Sequence, residues 1–191
     1  MKIKNRTLII MMLFTVGCYF PLDIHRFKYY GNYQNSTPNS HHSLRTDGYY
    51  FHSSKDSLNS SLVVFYEGGL LFKSPMSKYH ESLLDRKSPN LLITEDEKNR
   101  PEYWGSYMVV NDTVRMQKFL PLEKGRFFAS DEEYWLIIEN DSSLRLINYF
   151  IDDRPSFTKK MSIQFKFNHC ASIPDSMNIL LKIKDEEYPD L

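Results

Sequence analysis

Met161-Ser162-Ile163-Gln164-Phe165-Lys166-Phe167-Asn168 is the stretch that decides the fold class. Met161, Ile163, Phe165 and Phe167 alternate with Ser162, Gln164, Lys166 and Asn168. Successive side chains of an extended chain point to opposite faces, so strict alternation marks a strand with one buried and one wet face. Strands of this kind belong to antiparallel sheets, which pack on one side only.

Working back along the chain, further strand candidates come in pairs. Segments 134–139 and 143–149 flank the turn-forming Asn140-Asp141-Ser142. Segments 106–110 and 113–120 flank Asn111-Asp112, with Val114 and Met116 on one face and Arg115 and Gln117 on the other. Segments 62–66 and 70–73 flank Gly68-Gly69, a hairpin signal because both glycines accept positive φ. Residues 48–53 form the first candidate strand. The 13 Tyr and 13 Phe point the same way, since bulky rings pack well on a pleated sheet and only 7 Gly interrupt the chain. Hairpin after hairpin, with no βαβ alternation, predicts a mainly β domain. It is an antiparallel meander, closed as a lipocalin-like barrel or left as an open curved sheet.

One or two short helices are expected between the first and second hairpins. Ser74-Pro75 reads as an N-cap with Pro at the first helical position. Met76, Tyr79, His80, Leu83 and Leu84 then share one side of a helix. Thr94 and Glu97 have capping-box spacing, and Pro101 stops that element. Such an insertion would close one end of a barrel or cover a sheet.

The other informative stretch is the N-terminus, MKIKNRTLIIMMLFTVGC. Lys2, Lys4 and Arg6 precede an apolar run over 8–14, then small and apolar residues and Cys18. That is the three-part layout of a secretory signal, and its apolar run is shorter than the roughly 20 residues a spanning helix needs. Thr15-Val16-Gly17-Cys18 resembles the lipobox of bacterial lipoproteins at its last three positions, Thr15 standing where Leu is preferred. The resemblance implies a signal peptide over 1–17, cleavage before Cys18 and diacylglycerol on its thiol. Acyl chains on one residue would anchor the protein, each buried CH₂ contributing roughly 0.8 kcal/mol. An ordinary secretory peptide and an uncleaved anchor also fit the leader. The residues after Cys18 (Tyr19-Phe20-Pro21-Leu22) carry no acid. By likeness to lipoprotein sorting, that implies the outer membrane, facing the periplasm. The order of elements is also similar to that of uncharacterised small bacterial lipoproteins. They share an early Asp-Gly-Tyr-Tyr (Asp47 to Tyr50), a central Trp-Gly-x-Tyr (Trp104 to Tyr107) and a late Pro-Asp-Ser (Pro174 to Ser176).

Residues 18–46 read as a tether, rich in Asn, Ser, Gly and Pro over 31–40, and residues 47–191 as the β domain. The tether aromatics, Phe27 and Tyr29 among them, are expected at the membrane interface or docked on the domain. Cys170 then has no partner for a disulfide and is expected to be a buried structural thiol.

Charge excludes one class of partner. Lys+Arg and Asp+Glu number 24 each, and removing the three leader bases leaves 21 against 24, a net charge of −3. Nucleic acid needs a clustered positive surface, which this balance does not offer.

The search for chemistry is mostly negative. His25, His41, His42, His52, His80 and His169 have no metal-ligand spacing, and no cofactor motif appears. Asp131-Glu132-Glu133 and Glu95-Asp96-Glu97 are the candidate carboxylates of a hydrolase. Runs of acids more often form solvated turns or meet a helix dipole. Trp104, Tyr107, Tyr134 and Trp135 are candidate lining for a ligand pocket, or else they fill the core.

The expected role is therefore a lipid-anchored envelope protein that binds or supports without catalysis. A lipocalin-like carrier of a small hydrophobic ligand is the alternative, and a carboxylate-dependent hydrolase a distant one. The interior decides between them. A cavity of several hundred Å³ favours a carrier. A solid interior with an exposed aromatic patch favours a protein partner. Converging carboxylates favour an enzyme.

Overall fold

The computed structural model describes residues 27–29, 43–54, 60–75, 93–119, 131–151, 159–172 and 176. Cys18, His25, His41, His42, the helix expected from Met76 with His80, and Pro174 lie outside the described residues.

Eight strands follow one another: β1 (Gly48–His52), β2 (Ser61–Phe65), β3 (Leu70–Pro75), β4 (Trp104–Val110), β5 (Thr113–Phe119), β6 (Asp131–Asn140), β7 (Ser143–Ile151) and β8 (Lys159–His169). Each pairs antiparallel with its neighbour in sequence, and β8 returns to β1 from Gly48↔His169 to Phe51↔Lys166. The meander is a closed barrel, not an open sheet. β8 has the expected two faces: Phe165 is buried inside, while Ser162, Gln164 and Lys166 are exposed.

The turns form for local reasons. Asn111 adopts φ 53° in the two-residue link between β4 and β5, a conformation Asn tolerates better than most residues. Asn140 Oδ1 accepts from Ser142 N at 2.9 Å and Ser142 Oγ at 2.8 Å, fixing the β6–β7 turn. In the β2–β3 turn only Gly69 has positive φ, at 81°. Its N–H donates to the Tyr66 carbonyl (3.0 Å), and Tyr66 N–H donates to that of Leu70 (2.9 Å). The turn needs one left-handed residue, not the two anticipated for Gly68-Gly69.

Ser74 and Pro75 end β3 and do not open a helix. Ser74 is buried opposite Leu62, and Pro75 pairs with Ser61 at the last strand position. Pro is tolerated at the margin of a sheet, where a ladder donor is least missed. The second helical signal is realised as a four-residue helix, α1 (Glu95–Lys98). Thr94 Oγ1 accepts from Glu97 N–H at 3.2 Å, and the Glu97 carboxylate accepts from Thr94 N–H at 3.0 Å. A 3-10 turn (Pro101–Tyr103) then leads into β4.

The barrel packs on both of its surfaces. Inside, Tyr50, Phe65, Tyr107, Val109, Val114, Leu136, Leu144 and Phe165 form one cluster, and Leu44 joins them from before β1. Outside, Tyr49, Leu62, Val64, Leu70, Phe72, Trp104 and Phe119 form another, with Phe27 and Ile93 against them. The continuous runs Leu62-Val63-Val64-Phe65 and Leu70-Leu71-Phe72 follow from this. Strands buried on both faces lose the alternation that β8 keeps.

The tight turns after β2, β4 and β6 all lie at one end of the barrel. The longer connections 53–60, 76–103, 120–130 and 152–158 lie at the other.

Candidate functional site

At the end with the long connections, the interior is not filled. A cavity of about 680 Å³ opens there, within the range of small-molecule sites. Leu146, Met161, Ile163 and Phe165 of β7 and β8 give it an apolar wall. The opposite wall is polar: Lys73, Lys118, Glu132, Tyr134 and Tyr149 project from β3, β5, β6 and β7. His52, Glu102 and Tyr103 lie near the mouth, so the insertion before β4 contributes to closing this end.

Strand parity aims each polar group inward. Lys73 shares the face of Leu71, Lys118 that of Val114 and Met116, and Glu132 that of Tyr134 and Leu136. Glu132 is the hub. Its Oε2 accepts from Lys118 Nζ at 3.0 Å and Tyr134 Oη at 2.7 Å, and its Oε1 accepts from Tyr149 Oη at 2.8 Å. Lys118 also donates to the Glu102 carbonyl at 3.0 Å. The Lys118 and Glu132 side chains are each 10% exposed, so their charges are largely withdrawn from water and rely on each other.

The ionisation of the cluster follows from these contacts. Burial pushes the Glu132 carboxyl up. The Lys118 charge and the hydroxyls of Tyr134 and Tyr149 outweigh that and hold it below the usual carboxylate range. Burial and the adjacent carboxylate raise both tyrosines. Lys73 is pushed down to about 8, first by burial and then by the like charge of Lys118, against the pull of Glu132. Its Nζ lies 4.7 Å from the centroid of the Tyr134 ring. Among the described residues it has no hydrogen-bond or ion-pair partner.

Of the four aromatics expected at a pocket, Tyr134 lines the cavity and the other three do not. Tyr107 is interior but packed in the filled part, its ring centroid 4.8 Å from that of Phe65 and its Oη donating to the Tyr66 carbonyl at 2.8 Å. Trp104 packs on the outer surface against Phe72, its Nε1 donating to the Lys98 carbonyl at 3.1 Å. Trp135 points outward because it follows Tyr134 on the same strand. The Arg115 guanidinium lies 4.6 Å from its ring centroid.

The carboxylates also divide. Asp131-Glu132-Glu133 is not a solvated turn but the start of β6, with Glu132 buried inside and Glu133 buried outside. Glu133 receives the segment 27–29: Lys28 Nζ lies 2.5 Å from its Oε2, and Tyr29 Oη and Trp135 Nε1 donate to its Oε1. Lys28 N–H donates to Gln117 Oε1 at 2.9 Å, and the Phe27 and Phe119 rings lie 4.4 Å apart. These residues form a strap across β5 and β6. Glu95, Asp96 and Glu97 occupy the first turn of α1, where acids favourably meet the helix dipole. Cys170 is buried in the outer cluster.

Among the described residues no three His, Cys, Asp or Glu side chains come together as a metal site. No helix among them is long and apolar enough to cross a membrane.

Set against known protein families, curated proteins and solved structures, the chain matches none.

Proposed function

We propose that this is a lipid-anchored, non-catalytic binding protein of a bacterial envelope, whose barrel carries a small molecule with an apolar body. The cavity of about 680 Å³ at one end of an otherwise filled barrel carries the reading. An interior that served only stability would be packed to crystal-like density, because voids cost contacts. Four apolar side chains on one wall offer the larger part of a ligand a dry surface.

The chemistry of the cavity supports binding over hydrolysis. A general acid is a carboxyl whose acidity has been weakened, and a glycosidase needs two carboxylates across a cleft. Glu132 is held in its ionised form by three donors, and Glu133 lies on the other side of the wall. The anchor rests on the likeness of Thr15-Val16-Gly17-Cys18 to a lipobox. It implies acylation of Cys18, with the outer membrane facing the periplasm as the site.

Two measurements test the two halves. Mass spectrometry of the native protein should find Cys18 as the acylated first residue, and the Cys18→Ala variant should leave the membrane fraction. A native chain without acyl mass would refute the anchor. Titration with the neutral apolar fluorophore N-phenyl-1-naphthylamine should saturate at one site per barrel, and Ile163→Trp should weaken it by filling the cavity. Binding that does not saturate, or that ignores Ile163→Trp, would refute the carrier.

A further inference from the structure

We infer that the cavity selects a ligand carrying one negative charge, a carboxylate at the end of an apolar chain, and that Lys73 is the residue that receives it. This rests on the carrier reading and adds the class of ligand to it.

The argument is a count of charges and partners. Three ionisable groups of opposite sign face the polar wall: Lys73, Lys118 and Glu132. Lys118 and Glu132 satisfy one another at 3.0 Å. Both oxygens of Glu132 are taken up, by Lys118 and Tyr134 on one side and Tyr149 on the other. Lys73 is left over. A buried ammonium without an anion or acceptor is costly, and such groups are normally paired. Its one close contact is the face of Tyr134, which attracts a cation but neutralises nothing. The cavity therefore carries one uncompensated positive charge at its polar wall, opposite an apolar wall of Leu146, Met161, Ile163 and Phe165.

A ligand that answers both walls is an amphiphile. The number of charges on its head is limited by Glu132. One negative charge restores neutrality, whereas a second would have to sit near an ionised carboxylate in a poorly hydrated space. That favours a carboxylate over a phosphate monoester. A neutral alcohol of the same chain length would fill the cavity and leave Lys73 as it is.

The test is displacement of N-phenyl-1-naphthylamine from the full chain by dodecanoate, dodecanol and dodecyl phosphate. Dodecanoate should compete at concentrations about tenfold or more below dodecanol, as expected for one charge-assisted hydrogen bond. Dodecyl phosphate should be weaker than dodecanoate. Lys73→Met should weaken dodecanoate roughly ten- to a hundredfold. It should leave dodecanol and the fluorophore nearly unchanged, and their retained binding also shows that the variant is folded. Lys73→Arg should keep most of the preference. Equal binding of dodecanoate and dodecanol, or an unchanged dodecanoate affinity in Lys73→Met, would overturn the inference while leaving the carrier intact. A phosphate bound as tightly as the carboxylate would overturn the single-charge limit. If the fluorophore itself does not bind, the carrier reading fails and this one with it.

Discussion

Lys73 is kept in the barrel at a cost to folding, and the cost has a sign that can be measured. Its acidity is shifted from 10.5 in the open chain to about 8 in the fold. Between those two values the unfolded chain holds more protons than the folded one, so the Lys73 contribution improves as pH rises through that window. Below about pH 8 the whole penalty is present. Lys73→Met should therefore stabilise the protein at pH 7 by about 1–2 kcal/mol, counting roughly 1.4 kcal/mol per unit and discounting for water that reaches the cavity. Urea unfolding of wild type and variant at pH 7 and pH 10.5 reads this out. The gain should shrink at the higher pH, and an equal gain at both would mean that charge is not its cause. Stabilisation together with loss of anion binding is the usual mark of a residue retained for function. Two glycines show the same resolution in packing. A Cβ on Gly48 would lie 2.2 Å from the Asn168 carbonyl, and one on Gly105 would lie 2.1 Å from that of Gln117. Only glycine admits the neighbouring strand there, which gives the Gly of Asp47-Gly48-Tyr49-Tyr50 and of Trp104-Gly105-Ser106-Tyr107 a steric reason.

Among the elements, the strap 27–29 is held more by its ring than by its charge. Phe27 is 2% exposed and packs on Phe119, whereas the Lys28 side chain that reaches Glu133 is 41% exposed. Phe27→Ala should cost about 3 kcal/mol of stability in denaturant unfolding, as for other buried Phe. Lys28→Met should cost less than about 1 kcal/mol. The reverse ranking would show that the ion pair, not the apolar contact, fastens the strap. No spacing in the sequence joins Phe27 to Phe119, so this contact was not legible, and neither was the outer cluster it completes. β8 was legible because one of its faces is wet. The carboxyl end of β3 was misread because Pro suits both the margin of a strand and the first turn of a helix, two places where its missing N–H is harmless. The polar wall was hidden only by habit. Counting alternate positions from Leu71, Met116 and Leu136 places Lys73, Lys118 and Glu132 inside, but charged residues are expected outside, so parity was not followed. The same count would have separated Tyr134 from Trp135.

For the molecule as a whole, the strap decides how the barrel would stand on a membrane. Phe119, Gln117 and Glu133, which hold it, lie at the end of the barrel where the cavity opens. Under the proposed anchor at Cys18, nine residues separate the lipid from Phe27, a reach of about 30 Å fully extended. A tether free as far as residue 46 would reach roughly 100 Å by the same measure. The strap thus brings the cavity mouth towards the bilayer, the phase in which an acyl carboxylate would be met. Two insertions separate the strap from a free tether, each a Gly/Ser segment of about ten residues. Placed between Leu22 and Asp23, the segment lengthens the path from the lipid to the strap. Placed between Asn35 and Ser36, it lengthens only the stretch between Tyr29 and Leu44, both already seated on the barrel. Energy transfer from Trp104 and Trp135 to dansyl-labelled headgroups, measured with the acylated protein in vesicles, should fall for the first insertion. It should stay at the wild-type level for the second. Equal losses from both would mean that Phe27 leaves the barrel at the membrane, and that the mouth is not held facing it.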